Sequence, residues 1–219
     1  MRPFTTLTGI AAPLPWSNVN TDDIWPGPGA SPVLKAGRMP LQAPPDQHGP
    51  NAFAAVRWND DLTPKPEFVL NRAPYDRAEI LIARDNFGCG SSREMAVWAL
   101  AAIGFRCVIA PSFGDIFHNN CFPNGVLPVR LPELVVEDLL RQAEDPDARF
   151  TVDLVNLQVT APDGSVHAFA VGDYQRTMLL EGLDEITATL SRVPEINRAE
   201  AAYFARRPWL APEALPAAE

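Results

Sequence analysis

The apolar residues of the chain fall into short runs whose lengths predict alternating strands and helices. Residues 79–83 (EILIA) have the length of a buried strand. A longer apolar run ends at residue 103, where Gly104 follows as a helix-terminating residue, and a second strand is predicted at 106–110. This order of strand, helix and strand predicts a βαβ unit with parallel strands and a right-handed crossover.

The remaining pattern continues the α/β theme. Pro162-Asp163-Gly164 is a hairpin signal between two strands. The further predicted elements are strands at 5–11, 126–131, 151–160 and 165–171, and helices from 112 onward, at 134–143, at 173–181 and at 194–206. An Ala/Pro-rich tail after the last helix is expected to fray.

Proline dominates the segment from residue 26 to residue 66, which has nine prolines among forty-one residues. This composition predicts a long ordered loop, here called the flap, with at most one short helix near 52–58. Loops of this length are uncommon unless they are functional. We interpret residues 1–219 as a single domain that carries the flap and a C-terminal helical extension at about 184–219.

The composition is that of a folded, acidic chain. Of its 219 residues 47% are hydrophobic, and 27 acidic against 18 basic residues give a net charge of −9. An acidic chain without runs of Lys or Arg is a poor partner for nucleic acid. No stretch approaches the roughly 20 apolar residues of a membrane span, and the first residues lack the apolar run of a secretory signal. We therefore expect no membrane partner and a cytoplasmic location.

The three cysteines, Cys89, Cys107 and Cys121, predict no metal site in this chain. Their number is odd, and their spacing matches neither a disulfide framework nor a CxxC metal site. We therefore expect no cofactor here and assign any metal to another chain.

The strongest chemical signal is the segment 85–94, DNFGCGSSRE. It runs from the predicted strand at 79–83 into the predicted helix at 91–103. Gly88 and Gly90 can take backbone angles that side chains forbid. The segment therefore predicts a tight corner between a strand and a helix.

The polar residues of this corner predict an anion site. Ser91 and Glu94 have the spacing of a capping box, so the helix is predicted to begin at Ser91 or Ser92. Free N–H groups and the positive end of the helix dipole would then bind a carboxylate or a phosphate. Arg93 opposes that dipole, so we expect a negative partner for it outside the segment.

The corner has several other interpretations. A dinucleotide-binding GxGxxG motif would need a third glycine where Arg93 stands, and neither a phosphate loop nor a GxSxG nucleophile elbow is present. Cys89 could act as a thiol nucleophile, although no histidine has a spacing that marks it as the base. In the simplest alternative Ser91 only caps a buried helix and Arg93 pairs with a surface acid.

A second polar segment, Asn20-Thr21-Asp22-Asp23, has two interpretations. It is either an ordinary Asx turn or a segment that holds an acid near the corner, and the turn is the favoured one.

Four segments occur in a fixed order along the chain: 18–24 (NVNTDDI), 80–94 (ILIARDNFGCGSSRE), 108–117 (VIAPSFGDIF) and 120–129 (NCFPNGVLPV). In this order they resemble the 3-isopropylmalate dehydratase (isopropylmalate isomerase) small-subunit family of the aconitase superfamily. The resemblance covers roughly residues 5–25 and 75–185, and its GSSRE-centred part is highly specific.

The resemblance implies an α/β fold, a swivelling three-layer β/β/α domain like the last domain of aconitase. It implies a hydro-lyase subunit that is active only with a large subunit, and that partner carries a [4Fe-4S] cluster on three cysteines. The family reaction converts 2-isopropylmalate to 3-isopropylmalate, both small dicarboxylic acids, by dehydration and rehydration in leucine biosynthesis.

The resemblance also implies roles for individual residues. Ser91 would be the base, as an alkoxide, that removes the proton next to a carboxylate. Ser92 and Arg93 would hold a substrate carboxylate. Asp22 would support active-site residues of the partner, and Gly90 would support the corner itself.

Two departures from the family pattern bear on the substrate. Met95 stands where family members usually have a histidine. The arginine that reads the substrate side group normally lies in a short loop, and in the longer flap Arg38 is our candidate for it. A dehydratase subunit for another substituted malate is therefore the alternative, followed by a stand-alone anion- or nucleotide-binding module and by a non-catalytic assembly partner.

Overall fold

A computed structural model describes residues 1–210 of the chain. The chain folds into two compact units, Met1–Leu183 and a second unit that begins at Asp184. The fraying tail predicted at 211–219 lies outside the described residues. Over the described part of the chain, every helix is too short or too polar to cross a membrane.

The first unit contains two four-stranded sheets. Their strands are β1 (Thr6–Gly9), β2 (Ala11–Leu14), β3 (Ile80–Ala83), β4 (Cys107–Ala110), β5 (Leu127–Arg130), β6 (Phe150–Asp153), β7 (Gln158–Thr160) and β8 (Val166–Ala168). Strands β2, β3, β4 and β5 are parallel neighbours in that order. Strands β1, β6, β7 and β8 form the antiparallel sheet.

The helices of this unit agree with most of the sequence pattern. They are α1 (Thr21–Ile24), α2 (Pro32–Lys35), α3 (Ala54–Arg57), α4 (Met95–Ala102), α5 (Asp115–Cys121), α6 (Glu133–Gln142) and α7 (Asp173–Glu181). The predicted βαβ unit is confirmed as β3, α4 and β4. Helix α7 has its predicted bounds, and α6 is shifted by one residue.

The parallel sheet lies between two apolar cores, which explains why its strands read as continuous apolar runs. Side chains alternate along β3, so Ile80 and Ile82 enter one core while Leu81 and Ala83 enter the other. The first core also contains α6 and the inner face of the antiparallel sheet. The second contains α4, α5 and the flap. These layers confirm the predicted α/β fold class.

The strand predicted at 5–11 is in fact two strands in different sheets. β1 pairs with β6 and alternates between exposed and buried positions, whereas β2 pairs with β3 and is almost wholly buried. The chain changes sheets at Ile10. The prediction was wrong because an extended segment has the same sequence pattern whether it pairs with one strand along its whole length or with a different strand in each half.

The strand predicted at 151–160 is also broken. Residues 154–157 form a turn between β6 and β7, with Leu157 at a φ of 56°. The Asp153 carboxylate fixes this turn, because it accepts hydrogen bonds from the backbone N–H of Asn156 at 2.9 Å and from its side chain at 2.8 Å.

The flap is more structured than the sequence predicted, since it contains both α2 and α3 as well as short 3-10 turns. Its interior includes fully buried polar side chains. Trp25 Nε1 donates to His48 Nδ1 at 2.9 Å, and His48 Nε2 then donates to the Ala43 carbonyl at 2.9 Å. Ser31 caps α2 and donates to Asn51. Satisfied polar groups of this kind specify one arrangement of an irregular segment.

The second unit contains α8 (Glu185–Leu190) and α9 (Val193–Arg206). The helix predicted at 194–206 is confirmed as α9, and α8 was not predicted. Asp184 caps α8, since its carboxylate accepts the Thr187 N–H at 2.7 Å.

Candidate active site

Three chain segments meet at the carboxyl ends of the parallel strands, where open α/β sheets place their ligand sites. The segment after β2 is bonded to the segment after β3 by four backbone hydrogen bonds, the first of which runs from Arg84 N–H to the Trp16 carbonyl at 3.2 Å. Asn18 N–H donates to Asp85 at 2.9 Å, Gly88 N–H to Val19 at 2.7 Å and Thr21 N–H to Cys89 at 2.9 Å. These bonds bring NVNTDDI and GSSRE together although about seventy residues separate them.

The segment after β4 joins the corner from the other side. Phe87 N–H donates to the Ser112 carbonyl at 3.0 Å, and Gly114 N–H donates to the Phe87 carbonyl at 2.9 Å. Ser112 Oγ also accepts the Asn86 N–H at 2.8 Å. The middle segment is therefore bonded on both edges, like a strand that continues past the end of its sheet.

The predicted special backbone angles of the corner glycines are confirmed. Gly88 has a φ of 73°, and a Cβ built on it would lie 2.1 Å from Cγ of the buried Phe117. Gly90 has a φ of 94° and faces the side chains of Asn20 and Thr21. Gly88 is thus required both by conformation and by space, while Gly90 is required by conformation.

The predicted start of the helix at Ser91 or Ser92 is wrong. Helix α4 begins at Met95, and its N-cap residue, Glu94, makes no side-chain cap bond. The hydroxyl of Ser91 does not cap the helix, because it lies 2.8 Å from Oγ1 of Thr21. The residues between Gly90 and Met95 instead form an exposed loop over the corner.

Thr21 is a site residue that sequence reasoning missed. It is the first residue of α1 and is 1% exposed, and its Oγ1 accepts the Ser91 N–H at 3.2 Å. The sequence around Thr21, with Asn20 before it and two aspartates after it, does not indicate this contact. The contact forms only because the fold brings the loop of Thr21 against the loop of Ser91.

The negative partner expected for Arg93 is confirmed as Asp22. Arg93 Nη1 donates to Asp22 Oδ1. Both interpretations of the segment 20–23 hold at once, because Asn20 and Asp23 form a capping box that starts α1 while Asp22 reaches across to Arg93. This ion pair links the two loops by charge as well as by backbone bonds.

The loop that contains Arg93 also contains several backbone N–H donors beside this ion pair. Over residues 1–210, the N–H groups of residues 92–95 donate no hydrogen bond. The helix start at which an anion site was predicted is therefore absent at Ser91, and these donors and the Arg93 guanidinium lie in succession in the loop before α4. Such a set of donors suits a carboxylate.

The other candidate residues are placed outside this cluster. Arg38 is exposed after α2, and no side-chain hydrogen bond of Arg38 occurs over residues 1–210. Met95 packs against the core beneath α4. Cys89 Sγ donates to the Asn18 carbonyl at 3.5 Å within the corner. Burial raises the pKa of the Cys107 and Cys121 thiols, which keeps them protonated.

Comparisons with known proteins cover nearly the whole chain. The aconitase C-terminal domain model matches residues 1–134, and the LeuD_N model matches residues 137–173. The 3-isopropylmalate dehydratase small subunit of Roseobacter denitrificans is 47% identical over 96% of this chain and 100% of that protein. The protein of the same name from Gluconacetobacter diazotrophicus is 48% identical over 95% of this chain and 97% of its own length.

A solved structure supports the fold independently. The 3-isopropylmalate dehydratase (leuD) from Methanocaldococcus jannaschii superposes with a TM-score of 0.59 at 22% identity, covering 90% of this chain and 99% of that one. Together with the family models this confirms the α/β swivel-domain fold that the resemblance implied. The chain belongs to the 3-isopropylmalate dehydratase small-subunit family, whose core is the aconitase C-terminal domain.

Proposed function

We propose that this chain is the small subunit of a cytoplasmic hydro-lyase that converts 2-isopropylmalate to 3-isopropylmalate in leucine biosynthesis, together with a large iron–sulfur subunit. The names and near-complete coverage of the relatives support the assignment. The observation that carries it is the corner itself, where the exposed residue Ser91 and the ion-paired Arg93 stand in one loop whose N–H groups at 92–95 donate no hydrogen bond over residues 1–210.

The proposed chemistry begins with proton removal by Ser91. As an alkoxide, its Oγ takes the proton from the substrate carbon next to a carboxylate, and the electron pair of that C–H bond forms the double bond of isopropylmaleate while the hydroxyl leaves. Addition of water in the opposite orientation, with the proton returned from Ser91, completes the isomerisation. Ser92, Arg93 and the nearby N–H groups hold a substrate carboxylate during both steps.

The free energy of forming the alkoxide limits what the corner can do alone. Lowering the pKa of a serine by about five units requires roughly 7 kcal/mol. A helix terminus contributes at most about 2 kcal/mol and acts within its first turn. Ser91 lies four residues before α4. Most of the stabilisation must therefore come from Arg93, the loop donors and the partner, in a site closed to water.

The cysteines of this chain do not fit an iron–sulfur cluster. A cluster needs several thiolates, but Cys107 and Cys121 are fully buried with raised pKa values and Cys89 is far from both in sequence. We assign the [4Fe-4S] cluster to the large subunit, where as a Lewis acid it would assist departure of the hydroxyl.

The flap is the proposed reader of the substrate side group, through Arg38. Another substituted malate is the alternative substrate, and two features in which this chain departs from the family pattern motivate it. Met95 replaces the usual histidine, and its side chain contributes to the core. The flap itself is a proline-rich extension where the family pattern has a short loop.

The test is the assembled pair of subunits assayed against a panel of 2-substituted malates. We expect 2-isopropylmalate to give the highest kcat/KM; a higher value for another malate would favour the alternative, and no turnover of any malate would refute the hydro-lyase assignment.

Ser91→Ala provides the matching test of the site. It should lower kcat by about 10³-fold or more, because it removes the base. The melting temperature of the isolated chain should change little, since Ser91 is exposed and caps no helix. Ser17→Ala, which alters an exposed serine on the neighbouring segment, is the control and should leave both values unchanged. A cluster-loaded complex with Ser91→Ala that keeps most of its activity would remove Ser91 from the mechanism.

A further inference from the structure

The hydroxyl of Thr21 makes its hydrogen bonds with Ser91. Its Oγ1 lies 2.8 Å from Ser91 Oγ, accepts the Ser91 N–H at 3.2 Å and lies 3.2 Å from the Ser91 carbonyl oxygen. No other hydrogen bond of this hydroxyl occurs within residues 1–210. A side chain that is 1% exposed and makes all its polar contacts with one residue acts on that residue.

The position of Thr21 is fixed by its surroundings. Its own N–H donates to the carbonyl of Cys89, two residues before Ser91, at 2.9 Å. Asn20, directly before it, accepts the N–H groups of Asp22 and Asp23 at 2.7 Å and 2.9 Å. Gly90 lies beside the threonine, since a Cβ built on Gly90 would be 3.8 Å from Thr21 Oγ1. Thr21 can therefore hold the Ser91 side chain in one orientation.

Counting protons assigns the direction of the hydrogen bond during the reaction. A threonine hydroxyl has one proton to donate and can accept two hydrogen bonds. It accepts the Ser91 N–H, so its proton is directed at the Ser91 carbonyl or at Ser91 Oγ. Once Ser91 is an alkoxide it has no proton to give, and across 2.8 Å Thr21 must be the donor. Hydrogen bonds to an ionised oxygen are about twice as strong as neutral ones, so this contact favours the alkoxide.

We propose that Thr21 is a positioning residue that orients Ser91 Oγ and donates a hydrogen bond to its alkoxide, an inference that rests on the function proposed above. Thr21 does not touch the substrate; it acts through Ser91 alone.

The experiment compares Thr21→Val and Thr21→Ser in the assembled, cluster-loaded complex, with the malate that the wild-type complex turns over best. Valine keeps the shape and removes the hydroxyl, so kcat should fall about 10- to 100-fold while KM changes by less than about twofold. Serine restores the hydroxyl and should bring kcat back to within about threefold of wild type. With substrate deuterated at the carbon that loses its proton, Thr21→Val should also show a larger isotope effect on kcat, which a purely structural role would not produce.

A double variant separates this inference from the proposed function. In a Ser91→Ala background, Thr21→Val should cause no further loss of kcat, because its effect passes through Ser91. An equal loss in both backgrounds would overturn the inference while leaving the catalytic role of Ser91 intact. An unchanged kcat in Thr21→Val would also overturn it. If Thr21→Val fails to assemble, Thr21→Cys, whose thiol is a weak donor, must lower kcat at least tenfold or the inference fails.

Discussion

Gly88→Ala should destabilise the first unit by about 2–5 kcal/mol, from two sources that can be separated. A non-glycine residue in the left-handed region is strained by roughly 1–2 kcal/mol. The new Cβ would also lie 2.1 Å from Cγ of Phe117, which is 2% exposed. Forcing extra volume into a packed core destabilises by about 1–3 kcal/mol.

Two other glycines provide matched controls. Gly164 has a φ of 85° with no atom within 4 Å of a built Cβ, so Gly164→Ala carries the conformational strain alone. Gly114 has a φ of −61°, but a Cβ there would lie 2.5 Å from the Gly88 carbonyl oxygen, so Gly114→Ala carries the overlap alone. Gly88→Ala, which combines strain with overlap, should therefore cost more than Gly164→Ala.

Urea unfolding of the isolated chain measures the destabilisation caused by each of the three glycine substitutions. The free energy of unfolding is taken from the midpoint and slope of the transition. The slope must stay constant for the comparison to hold. If Gly88→Ala costs no more than Gly164→Ala, within about 0.5 kcal/mol, the Phe117 ring moves aside freely. The corner would then be less rigid than its contacts indicate, and it would not be a preformed site.

Two further substitutions test the substrate-binding assignments. Arg93→Lys should lower kcat and raise KM in the assembled complex, because lysine lacks the planar fork that matches a carboxylate. Initial-rate kinetics would detect both changes. Wild-type values of kcat and KM would show that Arg93 only pairs with Asp22. Arg38→Ala should raise KM or change the order of preferred malates without preventing assembly, and Lys35 is the next candidate if it does neither. Identical kinetics across the malate panel would assign the side-group recognition to another residue.

The sequence predicted best those elements whose signals are local. Helix α7 begins after Gly172 and ends at Gly182, and its predicted bounds are correct because both ends are set by nearby glycines. The strand run Ile80–Ala83 was recognisable because a strand buried on both faces is apolar throughout. The corner glycines were recognisable for a similar reason, since Gly88 and Gly90 stand close together before an apolar helix.

The errors share a cause, which is competition from residues distant in sequence. Ser91 and Ser112 both have the spacing of helix caps, yet neither hydroxyl caps a helix. Ser91 Oγ is bonded to Thr21, and Ser112 Oγ accepts the Asn86 N–H. The break at Ile10 is of the same kind, because only the identity of the neighbouring strands reveals it. The site residues Ser91, Arg93 and Asp22 were named through resemblance, whereas the contact with Thr21 requires the folded chain.

The isolated bridges Asn20↔Cys89 and Phe87↔Phe113 make the loops of the corner sensitive to insertions and deletions. Each bridge fixes the register between loops that follow neighbouring strands, so inserting or deleting one residue in any of these loops would shift every partner beyond it. The flap lies between Trp25 and Glu67, and neither bridge involves a flap residue. Exposed flap positions such as Arg38 can therefore change without altering the spacing of the corner. Under the proposed function, the fold thereby places the side-group reader and the proton-removing serine in segments that can be altered separately.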